Sequence, residues 1–170
     1  LIENLINKLK IIADKTNTHF LDKESKIIQG IEFVGCTLWS LSTKNAYESI
    51  NDSKMDVFNS HIEYIGEFID NFRFLEKTLK THTNHPRVVI THHLPSMRLN
   101  HEKFSTHPSN SAFSTNILDL INVHGVSYWF CGHTHEFGKI KYGDMKCIVN
   151  PVGYPHEKRV TNVNFDIYEI

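Results

Sequence analysis

Apolar residues recur at helical spacing at the start of the chain. Ile2, Leu5, Ile6, Leu9 and Ile12 fall on one face, with Asn, Lys and Glu on the other, which predicts an amphipathic helix. This helix opens on Leu1 with no Ser, Thr, Asp or Asn ahead of it as a cap, and such a start reads as that of a cut or processed chain. Two short β-type runs follow, 26–30 and 31–35, hinged on Gly30 as a hairpin, with Cys36-Thr37-Leu38-Trp39-Ser40 extending the second. Residues 42–59 are polar and weakly patterned, and are expected to form a loop with one short helical piece. The clearest helix begins at Ser60, whose spacing to Glu63 is that of a capping box. Behind it Ile62, Ile65, Phe68 or Ile69, Phe72, Leu75 and Leu79 repeat to about Lys80, and this face should be core.

Arg87-Val88-Val89-Ile90-Thr91 has the pattern of a strand buried on both faces, and it runs directly into His92-His93-Leu94-Pro95. A polar loop over 96–111 leads to a second predicted helix, with Ile117, Leu118 and Ile121 inward and Gly125 as its C-cap. Val126–Cys131 is another buried strand and ends in Gly132-His133-Thr134-His135. Residues 139–149 should form a hairpin turning at Gly143-Asp144, and Val163–Ile167 alternates as a strand with one wet face. Strands alternating with helices make a mixed α/β domain over residues 1–170. In open α/β sheets ligand chemistry gathers at the carboxyl ends of strands, and both histidine-bearing loops lie there.

The length of 170 residues fits one domain, and a 40% hydrophobic, 22% charged composition excludes wholesale disorder. Lys+Arg 18 against Asp+Glu 19 leaves a net charge of −1, which argues against a general nucleic-acid-binding surface. No apolar run approaches the roughly 18 residues of a membrane span. The three cysteines are odd in number and far apart; they form no disulfide framework and fit a reducing compartment, the cytoplasm. The one departure is histidine, at 12 residues.

Two histidines one residue apart in extended chain direct both imidazoles to the same side, and the preceding Gly132 lets the backbone pass close to what they bind. Neutral imidazole is a ligand for Zn, Fe or Mn, so His92 with His133 and His135 would give three nitrogen donors. Cys131 alternates with the same pair, but a fourth ligand at suitable spacing is missing, and the thiol reads as buried and structural. His101 and His107 lie in the polar loop that would overhang such a site. Trp39 reads as core, His19, His61, His82 and His85 as surface, and Asn51-Asp52-Ser53 as a glycosylation sequon that is idle without secretion.

These residues resemble the calcineurin-like metallophosphoesterases. Ile90-Thr91-His92-His93-Leu94-Pro95-Ser96 looks like the family's fourth metal-ligand block, and Phe130-Cys131-Gly132-His133-Thr134-His135 looks like its fifth. Gly35–Ser40, Phe74-Leu75-Glu76 and Asn150-Pro151-Val152-Gly153-Tyr154 agree in order, the last with Val152 where the family usually has Arg. The resemblance implies the C-terminal part of a four-layer αββα sandwich with mixed sheets and flanking helices. It also implies hydrolysis of phosphate mono- or diesters by a metal-bound hydroxide, with two divalent ions drawn from Mn, Fe, Zn or Ni. His92 and His133 would then ligate one metal and His135 the other, with His93 as the alternative to His92. His101, His107, Asn150 and Tyr154 would border the phosphate-ester substrate.

The family's Asp-x-His, Gly-Asp and Gly-Asn-His blocks have no counterpart in residues 1–90, and Gly143-Asp144 falls after the fifth block in a predicted turn. The resemblance therefore implies a C-terminal half whose partner would be a separate or missing N-terminal half. Such a chain alone should bind Zn²⁺ or Mn²⁺ weakly and turn over little. The competing function is a catalytically inactive protein-binding scaffold derived from the same fold, which a large exposed apolar patch would favour.

Overall fold

The computed structural model describes residues 2–55, 57–157 and 168, apart from the side chains of residues 2 and 3. The expected strand Val163–Ile167 lies outside the described residues. Four helices are described: α1 (Ile2–Thr16), α2 (Lys44–Ser49), α3 (Asn51–Lys54) and α4 (His61–Lys80). The strands are β1 (Glu24–Ile28), β2 (Ile31–Cys36), β3 (Arg87–Thr91), β4 (Val126–Cys131), β5 (Gly138–Tyr142) and β6 (Met145–Val149). They form one mixed sheet in the order β1-β2-β3-β4-β6-β5. β2, β3, β4 and β6 run parallel, while β1 and β5 close the two edges as antiparallel hairpin partners. Both hairpins fall where the sequence pattern puts them. The first turns on Gln29-Gly30 with both residues at positive φ, 51° and 82°, the geometry whose twist matches the flanking strands.

α4 covers one face of the sheet. Its start is capped by Ser60 Oγ, which accepts the Glu63 N–H at 3.2 Å, while Glu63 Oε2 reaches back to the Asn59 N–H at 2.7 Å, satisfying donors at the free helix end. The buried stripe is Tyr64, Phe68, Asn71, Leu75 and Leu79, with Ile65 and Phe72 packed partly against it; of the expected positions Ile62 is 83% exposed, and Phe68 rather than Ile69 is the inward one. Asn71 is a polar residue that belongs to the core here. Its Oδ1 accepts the Leu38 N–H at 2.9 Å and its Nδ2 donates to Glu67 O at 2.7 Å, so its burial leaves no unpaired amide. Phe68, Leu75 and Leu79 pack with Val34, Val89 and Trp129 of the sheet. Buried Arg87 pins the far end of α4, donating from Nε and Nη2 to Glu32 Oε2 at 2.9 and 2.8 Å and from Nη2 to Thr81 O at 3.1 Å. On the other face Val88, Tyr128 and Ile148 cluster with Phe33, Phe130 and Tyr168.

Four local expectations are corrected. The chain does not continue β2 past Cys36. Leu38 sits at φ 52°, and Thr37 O accepts the N–H groups of both His92 and His93 at 3.1 and 3.0 Å, so this stretch crosses the end of β3. Residues 42–59 hold two short helices, α2 and α3. The helix expected around Ile117–Gly125 is a single turn, closed by Ile121 N–H to Ile117 O at 3.2 Å. Its start is tied to the loop after β3, where Thr115 donates to Leu94 O and Ile117 to Pro95 O. Ile117, Leu118 and Ile121 are nonetheless buried. Finally, β3 is buried on one face only at Ile90, which is 42% exposed.

Candidate metal centre

Because β3 and β4 are parallel neighbours paired through Ile90 and Phe130, their carboxyl ends open side by side. The two histidine loops meet there, and the Gly132 N–H donates to His92 O at 3.0 Å. His133 Nδ1 lies 3.0 Å from His92 Nε2, and the His93 ring stacks on His133 with centroids 4.0 Å apart and planes 20° from parallel. One ring nitrogen each of His92, His93 and His133 falls within a 4.8 Å group. A tetrahedral ion with Zn–N bonds of about 2.0–2.1 Å spaces its nitrogens roughly 3.3 Å apart, close to the observed His92–His133 separation.

The Gly-His-x-His turn is not the extended segment expected. His133 and His135 both take left-handed φ, 67° and 54°, and the Thr134 N–H folds back on Gly132 O at 2.8 Å. Left-handed residues other than glycine cost about 1–3 kcal/mol each and collect at functional sites; histidine is among the residues that tolerate the region. A Cβ at Gly132 would lie 4.0 Å from His92, an ordinary contact, so close approach is not what this glycine supplies.

His93 is 1% exposed. Its Nδ1 is 2.6 Å from Ser40 Oγ, and Ser40 donates its hydroxyl to Ala112 O at 2.8 Å. The Nε2 atoms of His93 and His133 are buried and have no hydrogen-bond partner among the described residues. Buried polar atoms are rarely left so; His133 presents Nδ1 toward His92 and this unpartnered Nε2 on its other edge, and only one of the two is a lone pair in the neutral ring. Burial, with the neighbouring rings, holds His93 well below the ordinary histidine range and His133 down to about 3. Packing also lowers His92, whose outer edge stays open to solvent, with Asp52 opposing the shift. All three rings are therefore neutral near pH 7, the state a metal requires of its imidazole ligands.

A cleft of about 540 Å³ lies over this cluster and is lined by His92, His133, His135, Asp52, His107 and Tyr154 among others. His135 thus shares the cleft without belonging to the tight three-ring group; its Nδ1 is 3.1 Å from Glu157 Oε1. Tyr154 stands edge-on to His135 with centroids 4.5 Å apart, and His107 reaches the cleft from the 96–113 loop. A Lys103–Glu136 ion pair ties that loop to the histidine turn. His101 and Asn150 stand outside the cleft. His101 Nδ1 accepts the Lys103 N–H at 3.2 Å, and Asn150 donates its N–H to Cys131 O at 3.1 Å. Cys131 faces the core, where burial pushes its thiol up, so it takes no part in the cluster.

Three residues join the site beyond the expected ones: Ser40, which ends the Gly35–Ser40 stretch, Asp52 and Glu157. Asp52 lies in the sequon read as idle, yet its carboxylate lines the cleft and feels His92, while burial raises its pKa. Only the fold brings these side chains to the histidines.

No protein-family model matches the chain. It is 25% identical over 194 aligned positions to an uncharacterised protein of Acanthamoeba polyphaga mimivirus, a match covering 98% of this chain and 65% of that protein. Among solved structures it resembles the phosphopantetheinyl hydrolase of Mycobacterium tuberculosis, with a TM-score of 0.56 and 15% identity, over 92% of this chain and 63% of that one. The chain thus spans less than two thirds of the length of either. The structural likeness establishes the fold: a mixed sheet with flanking helices, as in that protein.

Proposed function

We propose that this chain carries the histidine centre of a metal-dependent phosphoester hydrolase of the calcineurin-like type. His92 and His133 hold a divalent ion, His93 stands beside them as a further donor, and His135 serves a second ion. The observation that carries the reading is the convergence of His92, His93 and His133 within 4.8 Å, with two buried imidazole nitrogens left without partners. The likeness of fold to a phosphopantetheinyl hydrolase supports it.

When bound, the ion supplies Lewis-acid polarisation of a phosphoryl oxygen and a more acidic water. The chain's own residues prepare that chemistry. Ser40 and the His93 stack orient His133. Phe104 and Phe113 wall the cleft on the loop side. Asp52 lines the cleft from α3, beside His92, where burial raises its pKa. Among the described residues no helix is long and apolar enough to cross a membrane. We place the chain in the cytoplasm, where Cys36, Cys131 and Cys147, all buried and unpaired, stay reduced.

The test uses the 170-residue chain with Mn²⁺. Inorganic phosphate should bind only in the presence of the metal, and low, chelator-sensitive hydrolysis of p-nitrophenyl phosphate esters should disappear in His133→Ala. Phosphate that binds equally well without Mn²⁺, or to His133→Ala, contradicts the reading.

A further inference from the structure

A carboxylate reaches the histidine turn from beyond the fifth histidine block. Glu157 Oε1 lies 3.1 Å from His135 Nδ1, and its Oε2 accepts the Tyr154 backbone N–H at 3.0 Å. The backbone closes the same turn, with the Glu157 N–H donating to Tyr154 O at 2.9 Å. Gly153 makes room for it. This residue sits at φ +82°, and a Cβ there would meet Glu157 Oε2, so any other residue would strain the backbone and push the carboxylate from its place. The Tyr154 ring packs edge-on against His135, and its hydroxyl meets Asn51 Nδ2 at 3.4 Å, tying the turn to α3. The two side chains retain 29% and 30% exposure, so this is a held pair at the cleft wall rather than a freely solvated one. Both carboxylate oxygens are engaged, one on the ring and one on the turn that positions it.

We propose that Glu157 is the positioning residue of His135. An ionised carboxylate can only accept, so the hydrogen of the contact sits on His135 Nδ1, and Nε2 is the nitrogen that ligates. The carboxylate fixes the tautomer and the ring plane and raises the basicity of the ligating nitrogen, as outer carboxylates do for metal-bound histidines. The role rests on the metal-centre reading above. It accounts for the sequence Gly153-Tyr154-Pro155-His156-Glu157 as a built support, in which the glycine admits the carboxylate, the tyrosine supports the ring and the glutamate orients it.

Two readouts on the 170-residue chain decide it. Long-range ¹H–¹⁵N NMR of the metal-free protein at pH 8 should show His135 with its hydrogen on Nδ1, and Glu157→Gln should shift the population toward Nε2–H. Zn²⁺ affinity should fall about 10–100-fold in Glu157→Gln, and the same substitution should add no further loss in a His135→Ala background. A wild-type His135 protonated on Nε2 overturns the proposal, as does a Glu157→Gln variant whose tautomer and Zn²⁺ affinity both stay as in wild type. The tautomer is read without metal, so it decides the role of Glu157 even if Zn²⁺ affinity proves indifferent to His133→Ala. That last result would instead overturn the metal-centre reading.

Discussion

Ser40 ties His93 to Ala112. Its hydroxyl has one hydrogen and two neighbours, Ala112 O at 2.8 Å and His93 Nδ1 at 2.6 Å. With that hydrogen on Ala112 O, Ser40 can only accept from the ring, which then carries its hydrogen on Nδ1 and leaves Nε2 as a lone pair in the buried cluster. Stacking against His133 and the tilted contact with Trp39, 5.4 Å between centroids, fix the ring plane as well.

Ser40→Ala should cost about 1–3 kcal/mol, because it leaves the buried His93 Nδ1–H without a partner. Urea denaturation monitored by tryptophan fluorescence measures this. A change within about 0.5 kcal/mol of zero would mean that His93 finds another acceptor.

Acid should destabilise the fold earlier than carboxylate protonation alone would. His93 and His133 are held neutral in the folded chain, His133 down to about 3, whereas in the unfolded chain both titrate near 6.5. Between those values the unfolded state binds protons that the folded state refuses, so stability falls as pH falls. The contribution of His133 is complete above about pH 6.5 and is lost progressively on the way to about pH 3, and that of His93 is lost in the same direction. The urea midpoint should drop between pH 7 and pH 5, and less steeply in His133→Asn. Equal slopes in the two proteins would show that His133 is not held neutral by the fold.

α4 separates two apolar positions of its expected stripe, Ile62 and Leu75, that look alike in the sequence. Leu75→Ala, at a fully buried site, should cost about 2–5 kcal/mol. Ile62→Ala, at a site 83% exposed, should stay within about 0.5 kcal/mol of wild type. Comparable losses at both sites would place Ile62 in the core beside Leu75.

Much of the architecture was legible because burial leaves a period in the sequence. The two hairpins, the parallel strands β3 and β4, and α4 with its Ser60 cap all follow from apolar spacing and turn residues. What periodicity misses is a polar residue that belongs inside: Asn71 is buried and its Oδ1 accepts the Leu38 N–H, while apolar Ile62 at the start of the same helix faces solvent. The segment at Ile117–Ile121 shows the opposite failure. Its apolar positions are buried as expected, but the backbone bonds of Thr115 and Ile117 to Leu94 and Pro95 are invisible to a local pattern.

The site divides in the same way. His92, His133 and His135 stand out because they follow buried strands, and the parallel pairing of β3 with β4 brings their loops together. Ser40 lies 53 residues from His93, and Glu157 lies 22 from His135; neither relation leaves a trace in spacing. The left-handed turn at His133 and His135 was likewise hidden, since histidine, unlike glycine, does not advertise positive φ.

The most direct measurement is X-ray absorption at the Zn edge of the Zn²⁺-loaded chain. The account predicts a first shell of nitrogen or oxygen at about 2.0–2.1 Å, with the outer-shell scattering of more than one imidazole, and a clear loss of that scattering in His133→Ala. A sulfur shell at about 2.3 Å, which only a cysteine could supply at that distance, or a shell that His133→Ala leaves unchanged, would contradict it.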